Sequence, residues 1–462
     1  MSLAFIPATE QADLVRRGEV SPVELTQLYL DRIERLDPEL NAYVTVRGEE
    51  ALADARAAVS APDAPFRGVP IAIKDLDSTA GIRTTFSSRA FADWVPQADN
   101  NTVARLRRAG FVILGKTNTP EFGTTAFTES ELNGVCRNPW DTSRTVGGSS
   151  GGAGAALAAG LCGIAQGSDG GGSIRIPASC CGVFGLKATR GRISSAPFGP
   201  GIGLSTTGPL ARTVADAAAL LDVLAGYEPG DPWWAPPFER PLTEEVGAEP
   251  GRLRIAVTTS APVADAEVHP DCVAAVEDAA ALLTSLGHEV EEATPDWSGG
   301  DLNADFGVIW QVAPVLYPIT DPTLLTPYNQ GLLARAEATS SADYVRTLAR
   351  LQLLARRVVA FWESYDLLLT PTLAMPPVPL GWHLQVDDPW EQLLLAGRFT
   401  PFTPIVNLTG QPAVSLPLSW NGEGLPIGVQ LVGRPAGEAT LVRVSAQLEA
   451  ARPWHDRRPP VS

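Results

Sequence analysis

The chain has 462 residues and is 45% hydrophobic, enough apolar material for a sizeable core in one large domain or roughly two to three ordinary ones. Lys and Arg number 35 against 52 Asp and Glu, a formal charge of −17, so its surface repels phosphate backbones and anionic lipid headgroups. Neither nucleic acid nor a membrane is expected as a partner, and no apolar run approaches the roughly 18 residues of a membrane span.

The first residues lack the basic flank and apolar run of an export signal, which makes the cytoplasm the expected compartment. Ser21-Pro22-Val23-Glu24 forms a capping box with proline at the first helical position, and Leu25, Leu28, Tyr29, Ile33 and Leu36 continue it at helical spacing. A helix over about 21–36 is predicted. Val69–Ile73, Thr102–Ala109 and Phe111–Leu114 then read as strand, helix and strand. Thr213 caps a helix to about Ala225, Leu253–Val257 reads as a strand, and a helix over Pro270–Leu286 feeds a strand at His288–Val290. This alternation predicts an α/β layer structure. The stretch Glu228–Gly251, with Trp233 and Trp234, reads as a surface excursion, and Phe402–Arg434 as two strands around a turn at Trp420–Gly424.

Glycine is concentrated between Gly147 and Gly172, where 11 of the 43 copies lie. The window opens with Gly147–Gly152, a loop carrying Ser149 and Ser150 that runs into a small-residue helix at Ala153–Ala159. It closes with Gly170-Gly171-Gly172-Ser173, where successive backbone N–H groups can converge on an oxyanion beside a serine. Ser173 is the candidate nucleophile. Gly147–Gly151 and Gly148–Gly152 both satisfy G-x-S-x-G, but that elbow needs a preceding strand, and Arg137–Asp141 reads as a turn. A phosphate loop is excluded because no Lys-Ser or Lys-Thr follows the glycines.

A serine nucleophile needs a base. Only three lysines occur, Lys74, Lys116 and Lys187. Arginine stays protonated, whereas a buried lysine can lose its proton, so surviving lysines are candidates for that role. Lys74 ends an apolar strand-like run and leads, with Lys116 and Lys187 as rivals. Five cysteines and four histidines are scattered without metal-ligand spacing, so neither a metal nor another cofactor is expected.

GVPIAIKD around Lys74, GKTNTPEF at Gly115–Phe122, CRNPWD and VGGSSGG between Cys136 and Gly152, and GSDGGGSIRIPASCCGVFGLKAT at Gly167–Thr189 resemble the blocks of the amidase signature family. FTPIVNLTGQPAVSLPL and LPIGVQLVGR extend the resemblance over most of the chain. It implies one domain over 1–462, built around a mixed β-sheet sandwiched between helices: N-terminal helices at 1–60, the signature core at 61–215, a variable substrate-side region at 216–400, and C-terminal strands and a helix at 401–462. It also implies Lys74 as base, Ser149 as a bridging serine preceded by a cis peptide bond, and Ser173 as nucleophile. Gly170, Gly171, Gly172 and Ser173 would supply the oxyanion hole. Asp169 and Arg175 would brace that turn, Ser150 would support the loop or the lysine, and Lys116 and Lys187 would form structural pairs. Ser168 and Gly170 depart from the threonines common in the family.

For the substrate pocket, Phe306, Trp310, Tyr317 and Tyr328 are candidates from an aromatic, weakly charged stretch, and Pro376–Trp390 is a candidate lid. The C-terminal blocks are most similar to stand-alone bacterial amidases of the aryl-acylamidase, nylon-oligomer-hydrolase and urethanase kind. The expected partner is therefore an uncharged, fairly hydrophobic aryl or alkyl amide. A carbamate or ester is the alternative substrate, and a glutamine amidotransferase subunit a more distant reading. Dimers are frequent among relatives, so a homodimer is one expected assembly.

Overall fold

The computed structural model describes residues 2–58, 64–197 and 202–462. After α1 (Ala8–Arg16), α2 (Pro22–Leu40) starts at the expected capping box: the Ser21 hydroxyl accepts from the Glu24 N–H, and the Glu24 carboxylate takes the Ser21 N–H at 2.8 Å. The helix runs four residues past the expected end, because Leu40 adds a fully buried side chain to the stripe of Leu25, Tyr29 and Ile33. The chain continues through β1 (Tyr43–Val46), α3 (Gly48–Ala58), β2 (Pro70–Lys74), α4 (Asn101–Arg108) and β3 (Val112–Thr117). β2 pairs parallel with β3, and every residue of both strands is buried, which is why they read as apolar runs.

Two small antiparallel pairs follow, β4 (Glu129–Ser130) with β5 (Gly134–Val135) and β6 (Arg137–Asn138) with β7 (Asp141–Thr145). The second pair corrects the reading of Arg137–Asp141 as a turn alone. A strand does precede the first G-x-S-x-G, but it belongs to a separate two-stranded sheet, outside the central one.

α5 (Gly151–Ala158), β8 (Ile164–Asp169), α6 (Arg175–Cys181), β9 (Phe184–Lys187), β10 (Thr206–Ala211) and α7 (Val214–Leu224) complete the glycine-rich half. Beyond the irregular stretch bearing exposed Trp233 and Trp234 come β11 (Arg254–Val257), α8 (Pro270–Ser285) and β12 (Glu289–Glu292). Three helices, α9 (Leu302–Trp310), α10 (Pro327–Ala338) and α11 (Ser341–Ala360), precede β13 (Leu367–Pro371). α12 (Pro389–Phe399), α13 (Pro404–Thr409), β14 (Ala413–Trp420), β15 (Pro426–Gly433) and α14 (Glu438–Ala451) end the fold.

Eleven strands make one mixed sheet in the order β1-β3-β2-β8-β10-β9-β14-β15-β13-β11-β12. Side-chain alternation shows how it is covered. Ile71 and Ile73 of β2 join the core built by α4, α7, α8 and α14, whereas Ala72 between them joins the one built by α2, α5 and α6. At the other end Leu367 and Leu369 face the first core, and Leu368 faces α9, α11 and α13. Helices therefore cover both faces, as the resemblance implied. No helix among the described residues is long and apolar enough to cross a membrane.

Candidate active site

Lys74 is the last residue of β2, and its side chain is fully buried. Its backbone N–H donates to Gln166 Oε1 at 3.0 Å, and Gln166 Nε2 donates to Asp77 Oδ2 at 2.9 Å. Lys74 Nζ lies 2.8 Å from Ser149 Oγ and 3.0 Å from Ser168 Oγ. Burial, opposed by the charges of Asp77 and Asp169, lowers its pKa to about 7.

The loop carrying Ser149 is glycine-rich because backbone runs against backbone. A Cβ on Gly148 would sit 2.7 Å from the Ala126 carbonyl carbon, and one on Gly152 2.3 Å from the Asn118 nitrogen. The Gly148–Ser149 peptide is cis. Ser150 Oγ donates to the Ser168 carbonyl and accepts from the Ser168 N–H, both at 3.2 Å. Ser150 thus ties this loop to β8 and does not touch the lysine. Its backbone N–H reaches the Ser173 carbonyl at 3.2 Å, bringing the two serine segments side by side.

Between β8 and α6 the chain turns through Gly170–Ser173, with Gly172 at φ +127°, a conformation that favours glycine. Asp169 organises this turn. Its carboxylate accepts from Gly172 N at 2.8 Å and Ile174 N at 3.3 Å, and pairs with Arg175 through Nε at 2.9 Å and Nη2 at 2.8 Å. Burial works to raise the Asp169 pKa, but the charge and hydrogen bonds of Arg175 hold it well below the usual carboxylate range. Arg175 also reaches Gln430 Oε1 and Asn407 Oδ1, each at 2.6 Å. The Gly172 N–H is therefore committed to Asp169 and is unavailable for an oxyanion, a correction to the expected hole. The N–H groups of Gly170, Gly171 and Ser173 have no protein partner among the described residues.

Pairing separates the three lysines more sharply than burial does. Lys187 is also lowered to about 7, by burial first and then by the charge of Arg175, but its Nζ donates to the carbonyls of Ala188 and Gln411. It forms no ion pair among the described residues, so the expected structural pair is a carbonyl clamp. Lys116, lowered to about 8 by burial, donates to the Asp77 carbonyl, Thr79 and Thr84, with Asp75 4.0 Å away. Of the three, Lys74 alone reaches a serine of the glycine-rich loop.

A cleft of about 70 Å³ opens beside Gly171 and Ser173, with Phe306, Trp310 and Tyr328 among its walls. Phe306 stacks on Trp310 at 5.5 Å, and the carbonyl of Thr124 accepts from Trp310 Nε1 at 2.8 Å and the Tyr328 hydroxyl at 3.4 Å. Tyr317 is absent from this lining. It stacks on Phe122 at 4.2 Å within a neighbouring aromatic cluster, which holds it away. The lid reading also fails for its two tryptophans: Trp382 packs on Phe127 and Phe399, and Trp390 lies under the Arg335 guanidinium. The wall comes instead from Leu393, Ala396 and Gly397 of α12.

Among the contributors that were not anticipated are Ser168 and Thr124. Ser168 contacts the lysine, a role readable from period two in β8, since it shares a face with Gln166. Thr124 contributes a carbonyl, and nothing in its residue type marks it.

The buried lysine, the serine-bearing loop and the unpaired N–H groups belong to an enzyme that hydrolyses amide bonds, as the matches to known proteins show. The Amidase family model covers residues 24–442, and the chain belongs to the amidase signature family. It is 40% identical to the 6-aminohexanoate-cyclic-dimer hydrolase of Pseudomonas sp. (strain NK87), over 98% of this chain and 96% of that one. It is 36% identical to an acylamidase of Rhodococcus erythropolis, over 99% and 98%. A solved structure of 6-aminohexanoate cyclic dimer hydrolase complexed with substrate superimposes with a TM-score of 0.94 at 38% identity, covering 99% of each chain.

Proposed function

We propose that this amidase cleaves the C–N bond of small, uncharged, largely apolar amides, with Ser173 as nucleophile, Ser149 as proton relay and Lys74 as base. The observation that carries this reading is the 2.8 Å contact between buried Lys74 Nζ and Ser149 Oγ, beside a serine whose neighbouring N–H groups are unpaired. Ser173 Oγ attacks the carbonyl carbon as its proton passes to Ser149, whose own proton passes to neutral Lys74. The carbonyl π electrons move to oxygen, where the N–H groups of Gly170, Gly171 and Ser173 receive the charge. Collapse breaks the C–N bond, and the lysine proton returns through Ser149 to the leaving nitrogen. Water then attacks the ester on Ser173 with the same relay, releasing the acid.

An uncharged substrate is supported by the cleft, which has no Asp, Glu, Lys or Arg among its described lining residues. A charged group would enter unpaired, at a cost of several kcal/mol, roughly. That argues against glutamine with its charged α-groups. The relatives that act on acyl amides and on 6-aminohexanoate cyclic dimer support the amide over the carbamate.

The test is Ser173→Ala. Anilide hydrolysis should fall by at least about a thousand-fold, and covalent labelling by a fluorophosphonate should vanish. Full activity in that variant would overturn the assignment. Parallel rates on an ester, a carbamate and glutamine separate the remaining substrate classes.

A further inference from the structure

We propose that Asn303 is a specificity-determining residue: its side-chain carbonyl receives an N–H from a second, neutral amide group, so the preferred substrates are diamides. This deepens the amide-hydrolase reading above and rests on it.

Asn303 lies in the first turn of α9 and lines the cleft beside Ser173. Its Nδ2 donates to the Leu394 carbonyl at 2.9 Å. That bond fixes which way the carboxamide faces, because only its nitrogen can donate to a carbonyl. Oδ1 is left without a donor among the described residues and rests against Gly397, which also lines the cleft. A Cβ at Gly397 would come within 1.9 Å of Oδ1. Gly397 stands inside α12, where glycine is less favourable than alanine by about 1 kcal/mol, and the space it leaves is the space the carboxamide fills.

Three other polar side chains of the wall are engaged with the protein; the hydroxyls of Thr125 and Ser173 have no partner among the described residues, but a hydroxyl can donate as well as accept, whereas Asn303 Oδ1 can only accept. The single Thr124 hydroxyl proton is shared between Glu121 O and Asn329 Oδ1, each at 2.9 Å, while the Tyr328 hydroxyl donates to Thr124 O and Thr400 Oγ1 to Ala396 O. Asn303 Oδ1 is thus an acceptor in a mostly apolar cleft, and it calls for a donor on the substrate. The donor is neutral, because no carboxylate lines the cleft to compensate an ammonium. A second amide N–H meets both conditions. At about 70 Å³ the cleft has room for about five to seven water-sized groups, the scale of a short acyl chain ending in such an amide.

The experiment uses nitroanilides of N-acetylated ω-amino acids with graded spacers, each paired with an isostere in which a methylene replaces the N–H. For the best-cleaved spacer, wild type should favour the diamide in kcat/KM by about five-fold, the scale of one neutral hydrogen bond. In Asn303→Leu that ratio should fall to about one. Gly397→Ala, which pushes the carboxamide aside, should lower the ratio as well, and it decides the matter if Asn303→Leu does not fold. Equal rates within every wild-type pair, or an undiminished ratio in a folded variant, would overturn the proposal. Either result with turnover still abolished by Ser173→Ala leaves amide hydrolysis standing. Absence of turnover of every anilide by wild type would remove both readings.

Discussion

At the scale of single residues, the proposed role of Lys74 as base predicts a pH dependence of activity in a definite direction. An ordinary lysine, near 10.5, is an ammonium at neutral pH and cannot accept a proton; burial brings Lys74 down to about 7. Below that value the ammonium form dominates and the proposed relay would be blocked, whereas above it the amine is free. kcat/KM should therefore rise about ten-fold per pH unit on the acid side and level off above a midpoint close to 7. A pH–rate profile at constant ionic strength measures this, and a flat acid side would contradict it. Lys74→Arg stays protonated throughout and should lose at least about a hundred-fold at every pH. Gly170 offers a second prediction. A Cβ there would lie 2.6 Å from Ser205 Oγ and 2.9 Å from the Trp310 ring. Gly170→Thr should displace Trp310, whose indole is tethered to Thr124, and raise KM roughly ten-fold, the effect of a modest overpacking strain.

At the scale of elements, one buried carboxylate joins α10 to the signature core. Glu121 Oε2 accepts from Thr326 N at 2.9 Å, Thr326 Oγ1 at 2.6 Å and Asn329 Nδ2 at 2.8 Å, while Asn329 Oδ1 accepts from Thr124 Oγ1 at 2.9 Å. Thr326 is also the N-cap of α10, so this clasp sets where the helix begins and where Tyr328 stands in the cleft wall. Glu121→Ala leaves three donors without their acceptor and should cost about 1–3 kcal/mol in a urea titration, with KM raised more than kcat is lowered. An unchanged KM would show that the wall does not depend on the clasp. Sequence could not reveal this contact, because Glu121 and Thr326 lie 205 residues apart. Features written within a few residues were readable: the Ser21 capping box, the Thr213 cap, the apolar β2 and β3, and the β14–β15 hairpin. Phe306, Trp310 and Tyr328 were found by composition, but composition could not exclude Tyr317, whose neighbours Phe86 and Phe122 come from distant segments.

At the scale of the whole molecule, the site stands where the two halves of the sheet are tied together. Asp169 ends β8 and Arg175 begins α6, whereas Asn407 belongs to α13 and Gln430 to β15, and Gln430 Nε2 continues to Thr370 of β13 at 3.1 Å. The C-terminal motifs were legible as family blocks, but their physical purpose was not, since Arg175 is 232 residues from Asn407 and 255 from Gln430. Arg175 is fully buried, so removing it strands the Asp169 charge and leaves two side-chain carbonyls unpaired. Losing one partner of such a pair costs about 3–5 kcal/mol, far more than an exposed ion pair contributes. Arg175→Met should therefore lower the urea midpoint by that equivalent and, by freeing Asp169 from the Gly170–Ser173 turn, lower kcat as well. Because the network joins strands from the N-terminal and C-terminal halves of the chain, circular dichroism and tryptophan fluorescence should report one shared transition in the wild type and in the variant. Two separated transitions in the wild type would mean that the C-terminal strands fold as a unit of their own, and that the expected single domain is wrong.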